Sequence, residues 1–296
     1  MIVTSGAASV RRDAERPARE PFAVTAIDAH AHVFERGLPL AAQRRYVPDY
    51  DAPLPAYFAQ LDGCGVSHGV LVQPSFLGTD CSYLLAALRR EPRRLRGVAV
   101  IEPDCGFGTL AAMAEAGVVG IRLNLIGLPD APLSSHIAPG TLAHIRELGW
   151  HVEVHAEAAR IEGIVAPLLE RGVEVVVDHF GRPEPELGVR DPGLRRLLEI
   201  TRSGRVWVKV SAAYRNSVGD SGEAFAREAL SLLKEAATVE RLMWGSDWPH
   251  TQFEASANFA STFGIAQRLF SEEAERRAVL CATAAHFYGF CEATVR

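Results

Sequence analysis

AVTAIDAHAHVF, residues 23–34, is an apolar run that ends in two histidines one residue apart, and its reading decides the architecture. Near-continuous apolar character suits a strand covered on both faces, since a half-exposed strand would alternate with polar residues. Seven later runs share it: HGVLVQPS (68–75), RGVAVIEPD (96–104), VVGIRLN (118–124), WHVEVHAE (150–157), VEVVVDHFG (173–181), RVWVKVSAA (205–213) and RLMWGSDWPH (241–250). Between them lie amphipathic segments such as DCSYLLAALRREP, EAARIEGIVAPLLERG, DPGLRRLLEITRSG and SGEAFAREALSLLKEAA. Several are followed by the Gly or Pro expected just past a helix end. His32 and Asp247, at the ends of the first and eighth runs, are separated by seven repeats of about 31 residues, the size of a βαβ unit. Eight such units predict one closed (β/α)8 barrel over residues 23–296. An open doubly wound sheet is the structural alternative, but no GxGxxG follows an early strand.

The 296 residues are 48% hydrophobic and 23% charged, enough to bury one large core. With a formal net charge of −5 and no cluster of Lys or Arg, nothing predicts binding to nucleic acid or an anionic membrane, so the expected partner is a small molecule. Residues 1–22 place Arg and Glu where a signal peptide needs an apolar segment, and no later run approaches a membrane span. They are read as a loose leader on a cytoplasmic protein. Cys64, Cys81, Cys105, Cys281 and Cys291 form an odd set without a CxxC pair, which favours reduced thiols.

In such a barrel the active site gathers at the C-terminal strand ends. Alternation sends His30 and His32 to one face, into the mouth. Later strands end in Arg122, His155, His179 and Asp247, so His and Asp side chains from four strands are expected to converge. Imidazoles and a carboxylate suit one zinc-like ion, with His30, His32, His155, His179 and Asp247 as its candidate ligands. Asp247, when ionised, can also take a proton from water, while His30, His32 and His179 polarise a carbonyl. Ser75, Thr79 and Gln252 follow strand ends and could hydrogen-bond a substrate. Asp28 is read as facing away from His30, in a supporting role. His68, His136, His144, His151 and His286 fall at strand starts, in loops or on helices, where structural roles are expected. Trp244 and Trp248 are read as packing, with Trp248 a possible wall.

Taken together, these positions resemble the amidohydrolase superfamily, whose members carry HxH on the first strand, His on the fifth and sixth, and Asp on the eighth. IDAHAHVF, VLVQPSFLGTD, RGVAVIEPD, GIRLN, VVDHFGRP, VWVKVSAAYR and RLMWGSDWPH are similar to the group of 2-pyrone-4,6-dicarboxylate, sugar and muconate lactonases, from about residue 24 to the C-terminus. The resemblance implies hydrolysis of a carboxylated lactone by water activated at Asp247, with Arg122 and Arg215 on arginines that bind the substrate's carboxylate. Binuclear members bridge two metals with a carbamylated lysine on the fourth strand. Arg122 at that position stays protonated and cannot form the carbamate, so at most one ion is expected. Two departures stand out. The metal-independent pyrone lactonases have a tyrosine in place of His155, and an arginine shortly after GIRLN where this chain reads Leu125-Ile-Gly-Leu128. Two other readings remain: a zinc-dependent non-oxidative decarboxylase, which uses the same residue set, and a catalytically silent binding barrel.

Overall fold

The computed structural model describes residues 23–217 and 222–290. The leader reading for residues 1–22 lies outside them. Eight parallel strands pair in sequence order: β1 Ile27–Ala31, β2 His68–Val72, β3 Leu95–Ala99, β4 Val118–Asn124, β5 His151–His155, β6 Val175–Val177, β7 Val206–Ser211 and β8 Leu242–Gly245. The ring closes just beyond β8, where Asp247 N donates to His30 O at 2.8 Å and His32 N donates to Trp248 O at 2.8 Å. Closure demands a glycine at 245, because a Cβ there would sit 2.6 Å from His30 Cβ. The (β/α)8 barrel expected from the eight apolar runs is present.

Helices Leu54–Gly63, Ser82–Arg90, Phe107–Glu115, Pro139–Glu147, Ala158–Glu170, Pro192–Thr201 and Glu223–Ala236 follow the first seven strands. Each buries an apolar stripe against the strands, so the barrel wall is covered on its outer face as its composition requires. Inside, the fill is layered. At the bottom, Ile27, Val70, Val98, Val176 and Met243 pack on Ala284, Tyr288 and Phe290 of the C-terminal segment. Above them come Glu153, Asp178, Lys209 and Arg122, and at the mouth the histidines. No helix among the described residues is long and apolar enough to cross a membrane.

Candidate active site

His30, His32, His155, His179 and Asp247 meet at one end of the barrel. Asp247 sits at the centre. Its Oδ1 lies 3.8 Å from His30 Nε2, 3.7 Å from His32 Nε2 and 3.8 Å from His179 Nε2. Its Oδ2 is taken by Tyr214 Oη at 2.6 Å and Arg215 Nε at 2.8 Å. Although burial alone would raise its pKa, Arg215 and the surrounding histidines hold the Asp247 carboxyl well below its usual range. It is therefore an anion with one oxygen committed and the other free.

The histidines are neutral. Burial lowers His32 to about 4 and His179 to about 3, and drives His30 and His155 well below their ordinary value. Their partners set their tautomers. His32 Nδ1 donates to Val72 O at 2.7 Å, leaving a lone pair on the Nε2 that faces Asp247. His155 is the reverse case: Arg122 Nη2 donates to its Nδ1 at 3.1 Å, so the proton sits on Nε2, which is buried and has no partner among the described residues.

Beneath the histidines lies an ionic layer that the sequence reading passed over. Arg122 places Nε and Nη2 on Asp178 Oδ2, at 2.9 and 2.7 Å. Lys209 is paired with Glu153 and lies 3.1 Å from His30 Nδ1, while Asp178 Oδ1 stands 3.3 Å from the same nitrogen. Burial and the neighbouring Asp178 push the Glu153 carboxyl up to about 8. His30 is thus clamped from below by groups on β5 and β7 and just beyond β6. Strand alternation could have flagged Glu153 and Lys209, which share the inward face with His155 and Ser211.

A cavity of about 240 Å³ opens above Asp247, lined by His32, His155, His179, Arg122 and Arg215 and by Ser75 and Gln252. Sequence reasoning missed three of its other walls, Arg45, Tyr46 and Arg182. Thr79 is not among its lining residues, and its hydroxyl donates to Glu102 at 2.7 Å. Arg122 lines the cavity, yet its fork grips Asp178 and not open space. Asp28 does face away from His30, although strict alternation would put both on one face; a register irregularity between Asp28 and Ala31 separates them. The Asp28 carboxylate accepts from Tyr57 Oη, Ser246 Oγ and the amides of Ser246 and His30, locking β1 to the end of β8. Trp248 packs against Tyr57 outside the cavity.

Non-glycine residues with left-handed backbone concentrate here: His179, Phe180, Arg182, Ala212, Asp247, His250 and Gln252 all have φ between 47° and 70°. They sit in the three loops after β6, β7 and β8, an arrangement that persists only where surrounding contacts hold it.

The spacing of these donors can be set against the needs of one divalent ion. Zinc bonds of 2.0–2.2 Å in a tetrahedron require ligand atoms about 3.3–3.6 Å apart. His30 Nε2 and His32 Nε2 are 3.3 Å apart, and the free Asp247 oxygen is within 3.8 Å of three Nε2 atoms. His30, His179 and Asp247 bring ligand atoms within 4.8 Å of one another, with His32 Nε2 beside His30, a donor set whose chemistry suits one ion. His155 fits poorly, since its inward nitrogen carries a proton.

The comparisons with known proteins agree with this geometry. The chain is 32% identical over 236 residues to a 2-pyrone-4,6-dicarboxylate hydrolase of Comamonas testosteroni, covering 76% of this chain and 77% of that one. It is 27% identical over 272 residues to a 4-sulfomuconolactone hydrolase of Hydrogenophaga intermedia, covering 88% of each. A Pseudomonas putida protein assigned as a 2-pyrone-4,6-dicarboxylic acid hydrolase superimposes with a TM-score of 0.84 at 50% identity, over 90% of this chain and 98% of that one. The amidohydrolase family model matches residues 27–290, and the chain belongs to that family.

Proposed function

We propose that the chain hydrolyses a lactone that carries one or more anionic groups. The observation that carries this reading is the free Oδ1 of Asp247 at the base of a cavity whose mouth holds Arg45, Arg182 and Arg215. Three guanidiniums face one carboxylate there, a surplus of two positive charges that an anionic substrate would neutralise. The relatives named for lactones of two-fold anionic acids support the same substrate class.

The residues supply each part of the reaction. Asp247 Oδ1 removes a proton from a water as its oxygen attacks the lactone carbonyl carbon. His155 Nε2–H, a buried donor with no other partner, hydrogen-bonds the carbonyl oxygen as it turns negative. When the ring C–O bond breaks, Asp247 returns the proton to the departing oxygen, and the product is the ring-opened acid. Tyr214 and Arg215 hold the carboxylate so that Oδ1, and not Oδ2, faces the substrate. An ion held by His30, His32, His179 and Asp247 would, when bound, act as a Lewis acid and lower the pKa of water. The neutral histidines are then ligands; without it they shape the water site.

The test is a panel of 2-pyrone-4,6-dicarboxylate, muconolactone and aldonolactones given to the purified protein, with ring opening followed by ultraviolet absorbance and acid release. At least one anionic lactone should be consumed, with no CO₂ evolved. Release of CO₂ from aromatic acids with every lactone untouched would replace this reading by decarboxylation.

A further inference from the structure

The cavity above Asp247 does not end at its polar walls. It shares Arg45, Ser75, Asn124 and Ile126 with a second, larger chamber of about 500 Å³ on the outer side of the mouth. The two differ in chemistry. The inner one is walled by guanidiniums, imidazoles and a carboxylate, whereas the outer one adds, beside Gln43 and Arg44, the apolar Ala41, Ala42, Val100 and Leu128 and the bare backbone of Gly78.

Among the described residues, these apolar side chains lie outside the core. Ala41, Val100, Ile126 and Leu128 belong to none of the hydrophobic clusters, and Leu128 is 42% exposed. Nor do they sit on a loosely tethered loop. Arg160 Nη1 donates to Leu125 O at 2.8 Å and Leu128 O at 3.0 Å, and Glu157 Oε1 accepts from Gly127 N at 2.8 Å. The backbone of the 125–128 turn is thereby fixed from beneath, with buried Leu125 anchoring it and Ile126 and Leu128 left facing the chamber. Across from them, Ala41 N donates to Phe76 O at 2.8 Å, which sets the opposite wall. Apolar groups held open to solvent by a hydrogen-bonded frame, and continuous with a reaction cavity, mark a place for apolar ligand surface.

We infer that the outer chamber binds an apolar arm of the substrate, an alkyl or aryl substituent that extends from the anionic lactone past Asn124 and Ser75. This rests on the lactonase reading for the identity of the ring, but the chamber itself can be tested without catalysis. The inference changes the substrate expected: not a compact dianion filling the inner cavity alone, but an amphipathic one with its charge inward and its apolar end outward.

The probe is a series of 2-alkylsuccinates, which carry two carboxylates and no lactone, with arms from none to about six carbons, titrated calorimetrically into the full chain. The dissociation constant should fall about three- to fourfold per added methylene, the ratio expected for burying a CH₂ group. Heat-capacity changes should grow more negative along the series. Leu128→Asn should flatten the dependence on arm length while leaving the unsubstituted succinate's affinity unchanged, and Ala42→Trp, at an exposed position, should do the same by filling the space. Affinity that is independent of arm length in the parent protein, or a dependence that survives both substitutions, overturns the inference. If the alkyl dependence holds while no lactone is opened, the lactonase reading fails and the apolar chamber stands.

Discussion

Two charged regions lie one above the other in this barrel, and they are assembled differently. In the buried layer, Arg122 and Lys209 face Glu153 and Asp178, two cationic side chains against two carboxyls, each within pairing distance of another. At the mouth, Arg45, Arg182 and Arg215 line the cavity with Asp247 as its one carboxylate. Arg182 shows the consequence: burial and the nearby Arg215 lower its guanidinium to about 10, and its Nε has no hydrogen-bond partner. An interior layer whose groups are all paired holds a shape, here the orientation of His30. An unbalanced one stores an attraction for something absent, and the missing charge is negative.

Asp247 separates the two regions most visibly. Asp247→Asn keeps the shape and still accepts from Arg215 and Tyr214 but cannot take a proton, so kcat should fall by about 10²–10⁴ with little change in thermal midpoint. Comparable losses of stability and turnover would mean that Asp247 belongs with the structural layer. Lys209→Met attacks the other region. It strands Glu153 and Asp178 without their ammonium partner, and stability measured by urea unfolding should drop by about 3–5 kcal/mol, partly restored by adding Glu153→Gln. A Lys209→Met protein as stable as the parent would show that the lower layer is not held by the Lys209 pairings.

How much of this was legible follows from the same contrast. The barrel could be read because parallel strands covered on both faces leave an apolar signature, repeated eight times at βαβ spacing. His30, His32, His155, His179 and Asp247 could be read because they interrupt that signature at the strand ends. Glu153 and Lys209 interrupt it too, in HVEVH and VWVKVS, but one position earlier in the inward alternation, where a charge is tolerated only beside a partner that the sequence does not display. Arg45, Tyr46 and Arg182 were missed because loops carry no periodicity. Arg182 and Asp247 owe their directions to left-handed backbone, φ 51° and 60°, which residue type does not announce in a non-glycine residue. Asp28 shows the opposite hazard, since a one-residue irregularity in β1 reverses the face that alternation assigns it.

Acid should separate the layers further. His151 lies below the ionic layer, its ring resting where Gly120 has no side chain and against Phe287 and Tyr288. Burial, with Lys209 above, lowers it from 6.5 to about 3. In the unfolded chain it binds a proton below about 6.5 and in the fold it does not, so its contribution is intact above that pH and is lost as pH falls towards 3. At pH 5 the loss is about 2 kcal/mol. His151→Phe should therefore unfold at a lower pH than the parent, with a small pH-independent offset. An unchanged acid midpoint would assign the acid sensitivity to the histidines at the mouth instead.

The smallest effect expected lies at the rim and tests the surplus of positive charge most directly. Arg45 is exposed, and among the described residues it donates a long 3.5 Å hydrogen bond from Nη2 to Asn124 Oδ1, so little is lost from the fold with its charge. An exposed charge acts through solvent, which limits its worth to about 1 kcal/mol and makes it sensitive to salt. Arg45→Met should raise KM for an anionic lactone a few-fold, leave kcat and the thermal midpoint unchanged, and reduce the dependence of kcat/KM on ionic strength. A neutral lactone of the same ring should not distinguish the two proteins. If both lactones lose equally, Arg45 shapes the mouth and does not draw in charge, and the attraction for an anion belongs to Arg182 and Arg215.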